Sequence, residues 1–516
     1  MSQRVRLLLF VFQLVVFFSF PSFSTAKSKT ESAEDSSGTG VLEVPPVVTH
    51  HQMMVDGKPL KYTATAGYMV MKDENGKAKA KIFFIAYTKD GVTDPSTRPI
   101  CFTFNGGPGS SSVWLHLGAL GPKRVLLKDD GEPLPPPYKL VDNEYTWLDR
   151  TDLVFIDPVE TGYSRPAPGE DKKQFTGYNE DIHSVGEFIR LYTTRYERWA
   201  SPKFLAGESY GTTRAAGLSG YLEDRYGLYL NGICLVSAIL NFETAEFATG
   251  NDLPYVLFLP SYTATAWYHK KLSSDLEQNM KKALDESKQF ALGEYASALM
   301  QGDQLPKEEE QKIVQELSRL TGLSPQYIEE TNLRIHIFRF CKELERSERK
   351  TVGRYDSRFE GIDRDAAGDT PDYDPSYDAG VLAPFTATIN DYLRRDLGYK
   401  NDIPYEILTG RVQPWNFNNV QNEYLNVAET LRDAMTKNKY MKVWIANGYF
   451  DLATPFLATQ YTINTMQLAP SVRKNITLTY YESGHMVYIN KPSLEQLKKD
   501  FVTFLDSALP AHDETK

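Results

Sequence analysis

The sequence is short of cysteine and lacks the histidine patterns of metal enzymes. Only three cysteines occur in 516 residues, Cys101, Cys234 and Cys341. They leave room for one disulfide but exclude a disulfide framework, so a packed core must supply the stability. No H-E-x-x-H sequence and no paired-histidine spacing occurs, which argues against a metal hydrolase and predicts no cofactor.

Positive charge is also scarce, because 57 Lys and Arg residues stand against 67 Asp and Glu residues, a formal net charge of −10. A negative protein repels a phosphate backbone, so no nucleic-acid partner is predicted. Hydrophobic residues form 41% of the chain and aromatic residues 12%, which excludes a disordered or collagen-like chain. At roughly 150 residues per domain, the length predicts two to four domains or one enlarged domain.

Long apolar runs are missing except at the N-terminus, where one extends from Leu7 to Phe20. Basic residues precede it, a proline ends it, and Ser24-Thr-Ala26 supplies the small residues of a cleavage site. We predict a signal peptide over residues 1–26 and a disordered leader over 27–42. The protein is then exported, periplasmic or secreted, with no stable membrane span after cleavage. The other interpretation of the run is an uncleaved anchor.

Strand and helix patterns alternate over most of the chain. Runs typical of strands lie at 61–65, 67–71, 81–87, 100–104, 152–157, 204–206, 233–240, 442–446 and 476–481. Helical spacing is found at 179–199, 212–226, 455–468 and 493–507. Strands alternating with helices predict an α/β fold with a mostly parallel sheet and helices on both faces.

The middle of the chain has a different composition. Residues 276–300 and 307–320 are rich in helix-forming residues, whereas 353–384 are polar and predict a long loop. The simplest organisation is an α/β core interrupted by a largely helical insertion. The predicted parts are a core of 43–242 and 426–510, a helical cap insertion of 243–425 and a tail of 511–516.

A candidate nucleophile lies between a predicted strand and a predicted helix. Gly207-Glu-Ser-Tyr-Gly211 fits the pattern G-x-S-x-G, in which glycines permit a sharp turn that exposes the serine hydroxyl. A glycine-flanked surface turn is the plainer interpretation of the pattern alone. A serine hydroxyl reacts only when a base accepts its proton and an acid orients that base. We predict Ser209 as the nucleophile.

The base and the acid are expected after later strands, in the order Ser, Asp or Glu, His. Of the histidines that follow Ser209, only His485 lies in a loop directly after a predicted strand of the sheet. Asp451 lies just after the preceding strand of the core. A tetrahedral oxyanion also needs two N–H donors. The amide of Tyr210 is one, and the glycine-rich loop after the strand 100–104 is placed to supply the other.

These motifs resemble the serine carboxypeptidases, acidic exopeptidases with the α/β-hydrolase fold. The resemblance covers about residues 60 to 508, and the low cysteine count is similar to that of bacterial members. It rests on Asn105-Gly-Gly-Pro-Gly-Ser-Ser-Ser112, Asp157-Pro-Val-Glu-Thr-Gly-Tyr-Ser164, Gly207-Glu-Ser-Tyr-Gly211, Asn447 to Pro455 and Gly484-His-Met486. It implies that Gly107 is the second oxyanion donor. It also implies that Asn105, Glu208 and the Gly106 amide bind the terminal carboxylate of the substrate.

Three positions depart from the family pattern. Ser110 stands where a disulfide-bonded cysteine is usual, Ala119 where a glutamate of the carboxylate-binding network is usual, and Glu160 where a glycine is usual. A substrate carboxylate beside Glu208 is repelled unless the two groups share a proton, so we expect the peptidase activity to be highest at acidic pH.

The resulting prediction is a serine-type carboxypeptidase that releases C-terminal residues from peptides or proteins through a Ser-His-Asp acyl-enzyme mechanism. Two alternatives stay open: an esterase or acyltransferase on the same fold, and a non-catalytic binding protein. The sequence leaves the oligomeric state and the preferred side chains unassigned.

Overall fold

The computed structural model describes residues 43–509, so the predicted signal peptide, leader and tail lie outside the described residues. Its centre is a sheet of nine strands, and a two-residue strand, Arg165–Pro166, pairs with the third of them. The nine strands are β1 (Val47–Val55), β2 (Lys58–Lys72), β3 (Ala78–Lys89), β4 (Ile100–Phe104), β5 (Asp152–Ile156), β6 (Lys203–Ser209), β7 (Gly232–Ala238), β8 (Lys442–Gly448) and β9 (Ile476–Tyr481).

The strands lie in the order β1-β2-β3-β5-β4-β6-β7-β8-β9. The first three pair antiparallel with their neighbours, and every pair from β5 to β9 is parallel. This arrangement confirms the predicted mostly parallel sheet. Parallel strands end at a common edge, so the loops after β4, β6, β8 and β9 leave the sheet close to one another.

Helices cover both faces of the sheet. The longer ones are α1 (Tyr178–Arg195), α2 (Tyr210–Tyr226), α3 (Leu253–Tyr268), α4 (Met280–Phe290), α5 (Lys307–Thr321), α6 (Leu382–Arg395), α7 (Ala428–Lys437), α8 (Phe456–Thr465) and α9 (Lys491–Ala508). Shorter helices lie at Val113–Leu115, Ser274–Glu277, Ala296–Gln301, Pro325–Glu330, Ile337–Glu343 and Pro470–Arg473. Apolar residues of α1, α2 and α7 share one core with the sheet. Those of α6 and α9 share the core on the other face. The sheet is therefore buried on both sides, as apolar parallel strands require.

Helices α3, α4 and α5 belong to a third core. Buried residues of these helices, among them Leu257, Leu284 and Leu317, pack together and against Phe450 and Leu452, which follow β8. The helical segment is thus anchored beside one of the loops at the common edge of the sheet. No helix within residues 43–509 is long and apolar enough to cross a bilayer. The three cysteines are all buried and free.

Several elements differ from the sequence predictions. The strands expected at 61–65 and 67–71 are one strand, β2, because Gly67 lies within the pairing and does not interrupt it. A Cβ there would lie 2.7 Å from Pro46, so this glycine lets the preceding segment approach the sheet. Strand β1 was not predicted.

The helix expected at 276–300 is also interrupted. The side chain of Asn279 caps a new helix at Met280 by accepting from the Lys282 amide, and a wider turn over Ala291–Tyr295 follows. The region expected as a loop, 353–384, contains a short strand at Glu360–Gly361 and a helical turn at Pro375–Val381 that leads into α6. Side-chain capping, which composition does not encode, explains the first of these differences.

Candidate active site

Ser209 is the last residue of β6, and α2 begins at the next residue. Its backbone has φ 59° and ψ −129°, a conformation that side-chain-bearing residues rarely adopt and that occurs at functional turns. A Cβ on Gly207 would lie 2.2 Å from the carbonyl oxygen of Gly211, so only glycine allows the two sides of the turn to meet. The sharp strand-to-helix turn expected from the motif is present, and Ser209 borders a cavity at its tip.

Asp451 and His485 are in contact after the adjacent strands β8 and β9. Asp451 Oδ2 lies 2.8 Å from His485 Nδ1, and both residues are buried. The other hydrogen bonds to Asp451 come from the Ala453 amide and from the amide and hydroxyl of Thr454. Because a carboxylate accepts, Nδ1 carries the proton and Nε2 keeps a lone pair. The imidazole is therefore held in the tautomer that a general base needs.

The environment of His485 makes its imidazole more basic than an ordinary histidine. Burial lowers the pKa of His485, but the charge and hydrogen bond of Asp451, together with the charge of Glu208, raise this pKa above its ordinary value. The backbone is fixed on both sides: the His485 amide donates to the Tyr355 carbonyl and the Ser237 hydroxyl donates to the His485 carbonyl, each at 2.6 Å. The ring is thus a basic group in a fixed position.

One cavity brings together seven of the eight residues predicted for the site. These are Asn105, Gly106, Gly107, Glu208, Ser209, Tyr210 and His485. Asp451 does not line the cavity and reaches it through Nδ1 of His485. In the described part of the chain, the hydroxyl of Ser209 and the ring of His485 form no hydrogen bond with each other. Such contacts are often long in enzymes without substrate and tighten when substrate binds.

The loop after β4 lies against the turn at Ser209. A Cβ on Gly106 would be 2.4 Å from the Tyr210 nitrogen, so the two backbones touch and glycine is required. Gly107 and Tyr210 both border the cavity that holds Ser209. Tyr210 also begins a 17-residue helix, whose N-terminal dipole favours negative charge. The backbone amides of Gly107 and Tyr210 are therefore candidate donors for an oxyanion.

Glu208 and Asn105 form a buried polar pair in the same cavity. Burial raises the pKa of Glu208 to about 7, although the His485 charge and the hydrogen bond from Tyr488 act to lower it. The Tyr488 hydroxyl donates to Oε2 of Glu208. Asn105 Oδ1 accepts from the Leu115 amide at 3.1 Å, whereas its Nδ2 is buried without a partner. An unpaired buried donor beside a protonatable carboxyl suits a ligand that accepts hydrogen bonds.

Tyr488, Thr454 and Arg354 are among the residues of the site that sequence reasoning did not identify. Thr454 follows Asp451 by three residues, and this spacing could have indicated that its hydroxyl donates to the Asp451 carboxylate. Tyr488 lies in the same loop as His485, but its contact with Glu208 depends on tertiary packing. The Tyr488 ring lies against Gly118, where any side chain would overlap the ring. Arg354 lines the cavity from the segment expected to be a loop, where the sequence held no signal.

Two of the three departures from the family pattern have local explanations, and nothing in the structure explains Ala119. The Ser110 hydroxyl accepts a 2.9 Å hydrogen bond from the Trp114 indole, so a polar contact occupies the position where a disulfide is usual. Ala119 is fully buried. Glu160 has φ 75°, the left-handed conformation for which glycine is the ordinary choice. Its carboxylate pairs with Arg411.

One group of side chains within residues 43–509 has the composition of a metal site. His269, Glu345 and Glu360 place one ligand atom each within 4.8 Å of the others. Lys271 Nζ lies 3.8 Å from Glu345, and Lys350 pairs with Glu360 at 2.5 Å, so ammonium groups already balance these carboxylates. None of the three residues lines the cavity that holds Ser209.

Comparison with known proteins places these features in a family. A family model described as serine carboxypeptidase matches residues 55–498. The chain belongs to the serine carboxypeptidase family. The crystal structure of KEX1(delta)p, described as a prohormone-processing carboxypeptidase from Saccharomyces cerevisiae, has a TM-score of 0.56 at 17% identity, covering 88% of this chain and 93% of that one. This similarity confirms the predicted α/β-hydrolase fold.

Sequence relatives match parts of the chain. Serine carboxypeptidase-like 34 of Arabidopsis thaliana is 27% identical over 251 residues, 47% of this chain and 45% of that protein. Pheromone-processing carboxypeptidase KEX1 of Saccharomyces cerevisiae is 31% identical over 178 residues, 33% of this chain and 22% of that protein. The chain therefore spans less than half the length of these relatives.

The close approach of Gly106 to Tyr210 predicts the effect of a single methyl group. Gly106→Ala should force the loop away from the Ser209 turn, destabilise the protein by about 1–3 kcal/mol, and slow the reaction with a fluorophosphonate. Gly410→Ala is the matched control, because a Cβ there meets no atom within 4 Å. Thermal unfolding and labelling rates check both. Equal behaviour of the two variants would contradict the packing described here.

Proposed function

We propose that the protein is a serine carboxypeptidase that removes C-terminal residues from peptides, with Ser209, His485 and Asp451 as its catalytic residues. The observation that carries the proposal is that the buried Asp451–His485 pair presents its imidazole to the cavity that also holds Ser209, Gly107, Tyr210, Asn105 and Glu208. Membership of the serine carboxypeptidase family supports the same reaction.

In the proposed reaction, Ser209 Oγ attacks the carbonyl carbon of the last peptide bond while His485 Nε2 accepts the hydroxyl proton. The amides of Gly107 and Tyr210 donate to the oxyanion. The intermediate collapses when His485 gives the proton to the departing amine, which leaves an ester on Ser209. Water, deprotonated by the same imidazole, then attacks the ester, and the imidazolium returns the proton to Ser209 Oγ as the acyl group leaves as a carboxylic acid. Asp451 stabilises the imidazolium in both steps.

The carboxylate end of the substrate is proposed to bind at Asn105, the Gly106 amide and Glu208. Asn105 Nδ2 has no partner in the described part of the chain, so a terminal carboxylate would satisfy it. Glu208 can share a proton with that carboxylate because burial raises its pKa to about 7. An esterase or acyltransferase has no use for this arrangement, and a binding protein that lacks catalysis has no use for the oriented imidazole.

We also propose that the insertion, residues 243–425, caps the site. Five cavity-lining residues come from it: Arg354, Tyr355, Tyr377, Val381 and Leu408. Its helices α3, α4 and α5 pack together beside the loop after β8, whereas α6 packs against the sheet, so the insertion can shape substrate access without adding a strand to the sheet. Export to a periplasmic or secreted setting stays a prediction from the N-terminal sequence.

Recognition of a free carboxylate predicts a difference between two substrates. A blocked dipeptide with a free C-terminus should be cleaved at least about 100-fold faster, as kcat/KM, than its C-terminal amide, since the amide leaves Glu208 and Asn105 unpaired. Asn105→Ala should reduce this ratio while fluorophosphonate labelling of Ser209 persists. Equal rates for acid and amide at pH 5.5 would instead support the esterase alternative.

The pH profile depends on Glu208, which faces Tyr488, Asn105, His485 and, more remotely, Asp451. Activity on free-acid peptides should fall as the pH rises through about 7, because ionised Glu208 repels the substrate carboxylate. The Tyr488 hydroxyl favours the ionised form, so Tyr488→Phe should raise the pKa of Glu208 and move the alkaline limb of kcat/KM to higher pH.

The control is Tyr481→Phe, which removes a buried hydroxyl that donates to a different carboxylate, Asp500. Its profile should match that of the unmodified protein. An alkaline limb that stays in place or moves to lower pH in Tyr488→Phe would show that Tyr488 does not tune Glu208.

A further inference from the structure

Arg354 places a guanidinium group at the catalytic cavity. It follows the short strand Thr351–Val352 in the insertion and lines the cavity with Tyr355. Its guanidinium carbon lies 4.5 Å from the centre of the Tyr355 ring and 6.0 Å from that of Phe338. The Tyr355 ring is in turn 5.0 Å from the ring of His485. A cation–π contact therefore holds the cation near the catalytic imidazole.

The charge of Arg354 is uncompensated within residues 43–509, where the guanidinium has no hydrogen bond and no ion pair. The neighbouring acids are engaged with other donors. Asp356 pairs with Arg358 at 2.6 Å and accepts from the Gly484 amide. Asp374 accepts from the amides of Arg354 and Tyr355 and from Ser376. A partly buried guanidinium with free N–H donors in a binding cavity is suited to a carboxylate ligand.

We infer that Arg354 binds the side-chain carboxylate of the departing residue, so that peptides ending in glutamate or aspartate are preferred substrates. The inference rests on the proposed function and adds a substrate class to it. The departing amine must lie beside His485, which protonates it. Arg354 stacks on the Tyr355 ring, and that ring is next to His485, so Arg354 lies near the departing residue. The terminal carboxylate already has Asn105, Gly106 and Glu208 as partners, which leaves Arg354 for a second carboxylate.

The test compares blocked dipeptides that end in Glu, Gln or Lys at pH 6, where the glutamate side chain is ionised. The unmodified protein should show a kcat/KM for Glu about tenfold or more above that for Gln, with Lys below Gln. In Arg354→Met the Glu and Gln values should become equal through loss of the Glu rate alone. Arg354→Lys should keep part of the preference, and Arg339→Met, which alters an exposed arginine outside the cavity, should keep all of it.

Two results would overturn the inference. One is a Glu value at or below the Gln value in the unmodified protein. The other is an equal loss for Glu and Gln in Arg354→Met, since Arg354 would then serve the terminal carboxylate or the fold. A further series of peptides carries Glu at the penultimate position and a neutral last residue. A preference for Glu in that series alone would show that Arg354 binds the residue before the scissile bond, which would also overturn the inference.

Binding measurements separate this inference from the proposed function. Calorimetry with Ser209→Ala needs no turnover and should give tighter binding of the Glu peptide than of the Gln peptide, with the difference lost in the Ser209→Ala, Arg354→Met double variant. If the unmodified protein cleaves none of the peptides, the proposed function fails while this difference still supports Arg354. If it cleaves all of them and Ser209→Ala binds both equally, only the inference fails.

Discussion

The hydrogen bond between Asp451 and His485 is the interaction on which the proposed chemistry depends. It is buried, so water does not compete for it, and it fixes both the tautomer and the direction of the imidazole. Three donors from the residues just after Asp451 hold the carboxylate in place. Without this support, a histidine in a loop would have neither a defined proton position nor a raised pKa. Ser209 would then have no oriented base.

The second constraint is the close packing of backbones around Ser209. The loop after β4 touches the turn after β6, and glycine at 106 and 211 permits this contact, while Gly207 permits the turn itself. Parallel strands bring these segments to one edge of the sheet. The loops after β8 and β9 arrive at the same edge. Residues that are nearly 400 positions apart in the sequence therefore meet in one cavity because the order of the parallel strands brings their loops to the same edge of the sheet.

The sequence was sufficient to predict the features that depend on local residue patterns and on the order of the strands. The parallel core strands, the turn at Ser209 and the gathering of the predicted site residues all follow from motifs that sit directly after apolar runs. Their catalytic roles stay proposals. The breaks within 276–300 and the continuity of β2 were not predictable, because they depend on a capping side chain at Asn279 and on the approach of Pro46 to Gly67. Tyr488 and Arg354 were missed for the same reason, since their positions are set by packing against distant segments.

The most direct test of the central claim, that His485 activates Ser209, is a rapid-mixing experiment with a blocked dipeptide nitrophenyl ester, followed by acid quenching and peptide mapping. We expect a burst of nitrophenol equal to the enzyme concentration and an acyl group on the peptide that contains Ser209. His485→Ala should show neither. Turnover with Ser209 unmodified at every time point, or an acyl group on another residue, would contradict the account.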